Sequence, residues 1–236
     1  MNIAIVGASG GIGSALLNRI SSNKSDTVYA FSRSVPELRL PNIIYHKLEF
    51  ELEASIADAA KLVRESGPLD RVIVCTGVLH NSDQMPEKSF KALNPNQLMH
   101  NYFVNVVGPA LVAKHFLPEM RPSSPSIFAV LSARVGSISD NRLGGWHAYR
   151  SSKAALNMLV KNLSIEMARK NDAAIVVALH PGTVDTNLSS PFKNRVPKDS
   201  LFSPETAAEH LLSVLDRLES QDSGKIYAWD GKEILP

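Results

Sequence analysis

Four glycines fall within seven residues, Gly7-Ala8-Ser9-Gly10-Gly11-Ile12-Gly13, between the apolar run 3–6 and an apolar periodicity at 12, 16, 17 and 20. No other feature narrows the folding options of the chain as much. Glycines this dense between a strand and a helix permit a sharp turn, close approach of a ligand to bare peptide groups, and tight packing of the helix on the sheet. The helix N-terminus adds unpaired N–H groups and the positive end of its dipole, which together favour phosphate. Gly7 allows the turn, Gly11 the approach of a diphosphate and Gly13 the packing, with Ser9, Gly10 and Ile12 completing the predicted cofactor loop.

The remainder of the chain continues the alternation. Apolar runs at 28–31, 43–46, 71–75, 127–131, 175–179 and 225–229 read as strands covered on both faces. Helical patterns follow at 54–64, 97–120, 148–169 and 204–218, the last with Ser203 as N-cap and Pro204 in its first turn. This predicts an α/β fold of one domain over 1–236, a doubly wound parallel seven-stranded sheet in the order 3-2-1-4-5-6-7. Loops at about 134–148 and 187–199, at the carboxyl ends of strands five and six, are the expected substrate loops.

Composition excludes several classes. With 25 Lys+Arg against 23 Asp+Glu the net charge is +2, so there is no global electrostatic case for nucleic acid or an anionic membrane. Cys75 is the one cysteine and cannot form an internal disulfide. The seven histidines show no ligand spacing, so no metal is expected. Neither a leader nor a membrane-spanning stretch is visible, and the expected location is the cytoplasm.

About 20 residues beyond the glycines, a dinucleotide fold meets the adenosine ribose. The chain offers Phe31-Ser32-Arg33-Ser34 there, with a guanidinium and no carboxylate. Arg33 can bond a 2′-phosphate, which points to NADP(H) ahead of NAD(H). A competing reading takes Gly7-x-Ser9-x-Gly11 as the nucleophile elbow of an α/β-hydrolase, with His180 and Asp185 as partners. Only six residues precede Gly7, too few for the strand and loop that would supply half of an oxyanion hole.

Tyr149 and Lys153 stand at i and i+4, on one helix face and beside the longer loop. A phenol with a pKa of about 10 is a poor proton donor or acceptor at neutral pH, and a nearby ammonium and an oxidised nicotinamide are both expected to lower that value.

Gly7-x-x-x-Gly11-x-Gly13, Tyr149-x-x-x-Lys153 and His180-Pro181-Gly182-Thr183-Val184-Asp185-Thr186 together resemble the short-chain dehydrogenase/reductase family over essentially the whole chain. Val135-Gly136-Ser137-Ile138 with Gly144-Gly145, and Trp229-Asp230-Gly231, resemble its C-factor/carbonyl-reductase-like branch. The resemblance implies a Rossmann-type, NAD(P)(H)-dependent oxidoreductase acting on a small carbonyl or alcohol, in which Tyr149 is the acid/base and Lys153 also holds the nicotinamide ribose. It further implies that Asn105 maintains a proton relay and that Glu49 and Phe50 bracket adenine. Pro181, Val184 and Thr186 would fix the carboxamide, and a homodimer or homotetramer would be usual. Three departures stand out. The family's Asn-Asn-Ala-Gly appears as Val74-Cys75-Thr76-Gly77, leaving Thr76 and Gly77 as the cofactor-facing turn; its Ser-Ser pair reads Ser132-Ala133; and Ser9 replaces the usual basic or threonine residue. Ser132 is the expected substrate-orienting serine and Ser137 the reserve, while Arg134, Trp146 and Phe192 are candidate pocket residues. The departures also motivate an alternative, a catalytically weak dinucleotide-binding regulator on the same fold.

Overall fold

The computed structural model describes all residues except 37–39, 82, 83, 123, 196, 198 and 199, so part of the predicted 187–199 loop lies outside the described residues. Seven strands form one parallel sheet in the order β3-β2-β1-β4-β5-β6-β9. They are β1 (Asn2–Val6), β2 (Thr27–Ser32), β3 (Ile43–Lys47), β4 (Arg71–Val74), β5 (Ser126–Leu131), β6 (Ala174–His180) and β9 (Ile226–Ala228). The expected order holds. A two-stranded ribbon of β7 (Thr183–Val184) and β8 (Leu201–Phe202) flanks the segment expected to be the second substrate loop; two residues per strand carry too short a pattern to be read from sequence.

Side chains alternate across each strand, so the sheet divides the core in two. Ile3, Ile5, Val28 and Ile73 face α1 (Gly11–Ser21) and α6 (Pro204–Leu215) through Leu16, Ile20, Leu211 and Leu215. Ala4, Val6, Tyr29 and Val72 face α2 (Glu53–Arg64), α4 (Gly108–Phe116) and α5 (His147–Ala168) through Ile56, Phe116 and Leu156.

The helix expected over 97–120 is helical through Glu119, but its α-helical winding is interrupted. It begins as α3 (Pro95–Tyr102), capped by the Asn94 side chain, widens to a π-helical turn over Phe103–Val107, and resumes as α4. Pro109 explains the interruption. It has no N–H to give the carbonyl four residues back, that of Asn105, and the neighbouring Gly108 N–H bonds five residues back to Phe103.

Candidate active site

Between β1 and β4 the strand order reverses, and the carboxyl ends of these strands open a crevice. Gly7 leaves β1 with φ +86°, a conformation that favours glycine. Its N–H and that of Ala8 both donate to Phe31 O, at 2.8 and 3.1 Å, tying the turn to the end of β2. Arg33 follows two residues later and is exposed beside that turn. A Cβ on Gly13 would lie 2.2 Å from Gly7 O, so only glycine lets α1 approach this closely. Gly10 caps α1 without a side-chain bond, and the N–H groups of Gly11, Ile12 and Gly13 find no acceptor among the described residues.

Two distant segments close on this turn. A Cβ on Gly7 would meet the Thr76 methyl at 3.0 Å, and one on Gly11 would meet the Thr186 methyl at 2.6 Å. The turn after β4 and the segment around the β7–β8 ribbon therefore border the glycine loop directly. Thr76 Oγ1 is buried and has no partner among the described residues. Pro181 and Thr186 are half-buried and Val184 is buried, with the Val184 carbonyl and Thr186 N–H both bonded to Ser189 Oγ.

Tyr149 and Lys153 lie in the first two turns of α5, and Lys153 Nζ stands 5.7 Å from the Tyr149 ring centroid. Both are buried. Lys153 Nζ donates to Leu131 O at 2.8 Å, and a Cβ on Gly77 would lie 3.5 Å from it. The ammonium thus sits where the β4 turn meets the end of β5. The Tyr149 hydroxyl bonds to no described residue and, unlike that of Tyr29, is not sealed from solvent. Burial acts oppositely on the two groups. It raises the phenol above its ordinary value and pushes the lysine down to about 7. The sequence expectation joins the ammonium to an oxidised nicotinamide in lowering the phenol, and in the chain by itself burial acts in the opposite direction.

Asn105 is fully buried at the middle of the π-helical turn. Its Oδ1 accepts from Val78 N at 2.8 Å, and its Nδ2 donates to Val78 O at 2.9 Å and Ser152 Oγ at 3.0 Å. Ser152 lies beside Lys153 on α5, so Asn105 ties the β4 loop to that helix. Its Oδ1 and Lys153 Nζ both border Gly77, each 3.5 Å from where a Cβ there would lie.

The two candidate serines have other partners. Ser132 Oγ donates to Asn157 Oδ1 at 2.6 Å and Ser137 Oγ to Leu235 O at 2.5 Å. The residue packed beside Tyr149 is Ala133, together with Leu79, Val135, Trp146, Leu188 and Phe192. The expectation that Ser132 orients a substrate oxygen thus meets a hydroxyl whose proton is committed to α5. Trp146 and Phe192 do line the Tyr149 surroundings, with ring centroids 4.9 Å apart. Arg134 instead pairs with Asp140 at 3.2 Å.

Glu49 pairs with Lys47 at 2.9 Å, while the Phe50 ring fills the space over Gly108, where a Cβ would come within 2.1 Å of it. Phe50 is thereby fixed against the helix that carries Asn105. The hydrolase constellation is not assembled: Ser9 is exposed, Asp185 pairs with Lys193 at 3.1 Å, and His180 Nδ1 is buried without a partner. Burial lowers His180 to about 4 and raises Cys75 to about 12, so neither is poised for acid/base or thiolate chemistry near neutrality. Sequence reasoning overlooked Ser152, Asn157 and Glu87; only Ser152 had a signal, its place inside the Tyr-x-x-x-Lys spacing.

The model of the short chain dehydrogenase family matches residues 1–196. The chain belongs to that family. An uncharacterized oxidoreductase of Schizosaccharomyces pombe is 31% identical over 98% of this chain and 95% of its own length. The C-signal protein of Myxococcus xanthus is also 31% identical, over 58% of this chain and 77% of its own. Among solved structures, the NADPH-bound carbonyl reductase from chicken fatty liver superposes with a TM-score of 0.84 at 25% identity, covering 100% of this chain and 94% of that one. Carbonyl reductase Sniffer of D. melanogaster, at 20% identity and a TM-score of 0.86 over 100% and 99% of the two chains, shares the fold. This short-chain dehydrogenase is thus an oxidoreductase by family, and among its described residues no helix is long and apolar enough to cross a membrane.

Proposed function

We propose that this chain is an NADP(H)-dependent oxidoreductase interconverting a small-molecule carbonyl and its alcohol. The observation that carries the reading is the meeting of Tyr149 with Lys153, whose ammonium lies beside Gly77 in the turn that borders the glycine loop. The residues fit a dinucleotide. Three first-turn N–H groups without acceptors and a cradle that any Cβ would fill suit a diphosphate. The unpartnered Thr76 Oγ1 is a further group that a ligand could satisfy. Arg33 would hold a 2′-phosphate, and Lys153 Nζ a ribose hydroxyl. The likeness to an NADPH-bound carbonyl reductase supports the same cofactor. When bound, such a cofactor supplies or accepts a hydride.

The protein's own residues manage the proton. Tyr149, a neutral phenol with an accessible hydroxyl, donates to a substrate oxygen within hydrogen-bond reach and takes the proton back in the reverse direction. Lys153, with its pKa brought to about 7, carries charge in the physiological range and stabilises the phenolate left behind. Asn105 fixes the spacing between the β4 loop and α5 through its bonds to Val78 and Ser152. Trp146, Phe192 and Leu188 give the substrate an apolar wall. A panel of aldehydes, ketones and quinones with NADPH, followed at the nicotinamide absorbance, tests the reading. Turnover supports it.

A second reading rests on Ala133, which stands in the place of the second serine of the family's Ser-Ser pair and packs beside Tyr149, and on the likeness to C-signal. A dinucleotide-binding regulator would bind NADPH tightly and turn over nothing in the panel.

A further inference from the structure

Trp146, the N-cap of α5, stands in the left-handed region at φ 51° and ψ 43° and contributes no side-chain cap. It is the one non-glycine with positive φ among the described residues, and it follows Gly144 and Gly145 at φ 62° and 66°. The missing cap comes from elsewhere in the chain. Glu87, only 3% exposed, accepts through Oε2 from Ala148 N at 3.2 Å, and its backbone carbonyl accepts from Trp146 N at 2.5 Å. Its Oε1 has no partner among the described residues, so the one side-chain bond of this buried carboxylate there is to the start of α5. The segment bearing it is itself anchored, because Gln97 Nε2, on α3, donates to Met85 O at 3.1 Å.

We propose that Glu87 is a positioning residue for Tyr149, an inference that rests on the oxidoreductase reading above. Tyr149 is the third residue past the N-cap, inside the turn whose N–H groups lack helical acceptors. An uncapped helix frays there, and a start displaced by one residue turns the following side chain by about 100°. Glu87 fixes the start of α5 from both sides of the junction. Its backbone holds Trp146 in the left-handed conformation, and its carboxylate caps the first turn and complements the dipole. The same clamp places the Trp146 indole, whose ring lies 6.4 Å from that of Tyr149.

The test compares Glu87→Ala, Glu87→Gln and Tyr149→Phe in the full chain. Turnover, NADPH affinity by fluorescence titration and amide exchange across residues 146–150 are read for each. Glu87→Ala should lower kcat about 10- to 100-fold with NADPH affinity within about threefold of wild type. Exchange should quicken over 146–150 and stay unchanged in β1 and β4. Glu87→Gln, which keeps an acceptor for Ala148 N, should recover most of the rate. Wild-type kcat in Glu87→Ala, or equal losses in both variants with faster exchange throughout the sheet, would overturn the inference. Full turnover in Tyr149→Phe, or no carbonyl turnover in wild type, would instead remove the oxidoreductase reading. The exchange comparison then decides for Glu87 alone, unchanged protection at 146–150 counting against it.

Discussion

Ser132 and Asn157 share a buried hydrogen bond, with Ser132 Oγ donating to Asn157 Oδ1 at 2.6 Å. The bond ties the end of β5 to the middle of α5, and Asn157 Nδ2 has no partner of its own among the described residues. Ser132→Ala therefore strips Asn157 of its contact and should cost about 1–3 kcal/mol of stability. Denaturant unfolding measures it. Turnover should fall less than about tenfold, because loss of a hydroxyl that polarises the reacting oxygen costs on the order of 10²–10³. A loss of that larger size would return Ser132 to the substrate.

Tyr149→Phe removes the hydroxyl proposed as the proton donor and little else, since that hydroxyl bonds to none of the described residues. Turnover should drop by about 10²–10⁴. NADPH affinity, measured by titration, should stay within about twofold.

Arg33 is exposed next to the glycine turn. Arg33→Ala should weaken NADPH binding about 10- to 100-fold, the worth of a charge-assisted bond to phosphate, and leave NADH binding nearly unchanged. Calorimetric titration of both nucleotides separates these outcomes. Equal losses would place the 2′-phosphate elsewhere.

The buried lysine links stability to pH. In the folded chain Lys153 has its pKa lowered to about 7, whereas an unfolded lysine stays protonated to about 10.4. Between these values the unfolded state binds more protons, so stability rises with pH across that window. Below pH 7 the cost of burying the ammonium is present in full. Relative to Lys153→Met, wild type should gain on the order of a few kcal/mol from pH 7 to 10, read by urea unfolding. Tyr149, shifted upward, works the other way only above the ordinary phenol range.

Gly13→Ala would drive a methyl to 2.2 Å from the Gly7 carbonyl oxygen, which is backbone and cannot swing aside. The expected cost is about 1–3 kcal/mol, with a lower Tm and weaker nucleotide binding. Gly144→Ala offers a comparison, since its Cβ would meet nothing within 4 Å and only backbone strain would remain.

Much of the architecture was legible because buried parallel strands are written as continuous apolar runs. Ile3–Val6 of β1 and the six apolar residues of β6 before His180 announce themselves without knowledge of their neighbours. Gly13 and Tyr149-x-x-x-Lys153 were readable for a similar reason, as local spacing dictated their use. What escaped depended on contacts between distant segments. Nothing near Glu87 in the sequence says that it caps a helix beginning 60 residues later. Nothing in Ser132-Ala133 reveals that the serine turns to Asn157 while the alanine packs on Tyr149. The desolvation of Tyr149 was equally hidden, since sequence spacing gives proximity and not dielectric.

The wide turn at Phe103–Val107 acts as a phase shifter within one continuous helical run. One extra residue is absorbed there, so the faces of α3 and α4 are offset by about 100° from those of an unbroken helix. Gln97 and Asn101 ahead of it and Val112 and Phe116 behind it all reach the interior only with that offset in place. Deleting a single residue from this stretch would straighten the helix yet swing Phe116 out of its seat against Phe31. Indels here should consequently be far less tolerable than in the surface loops, although the locally regularised geometry would look more ideal.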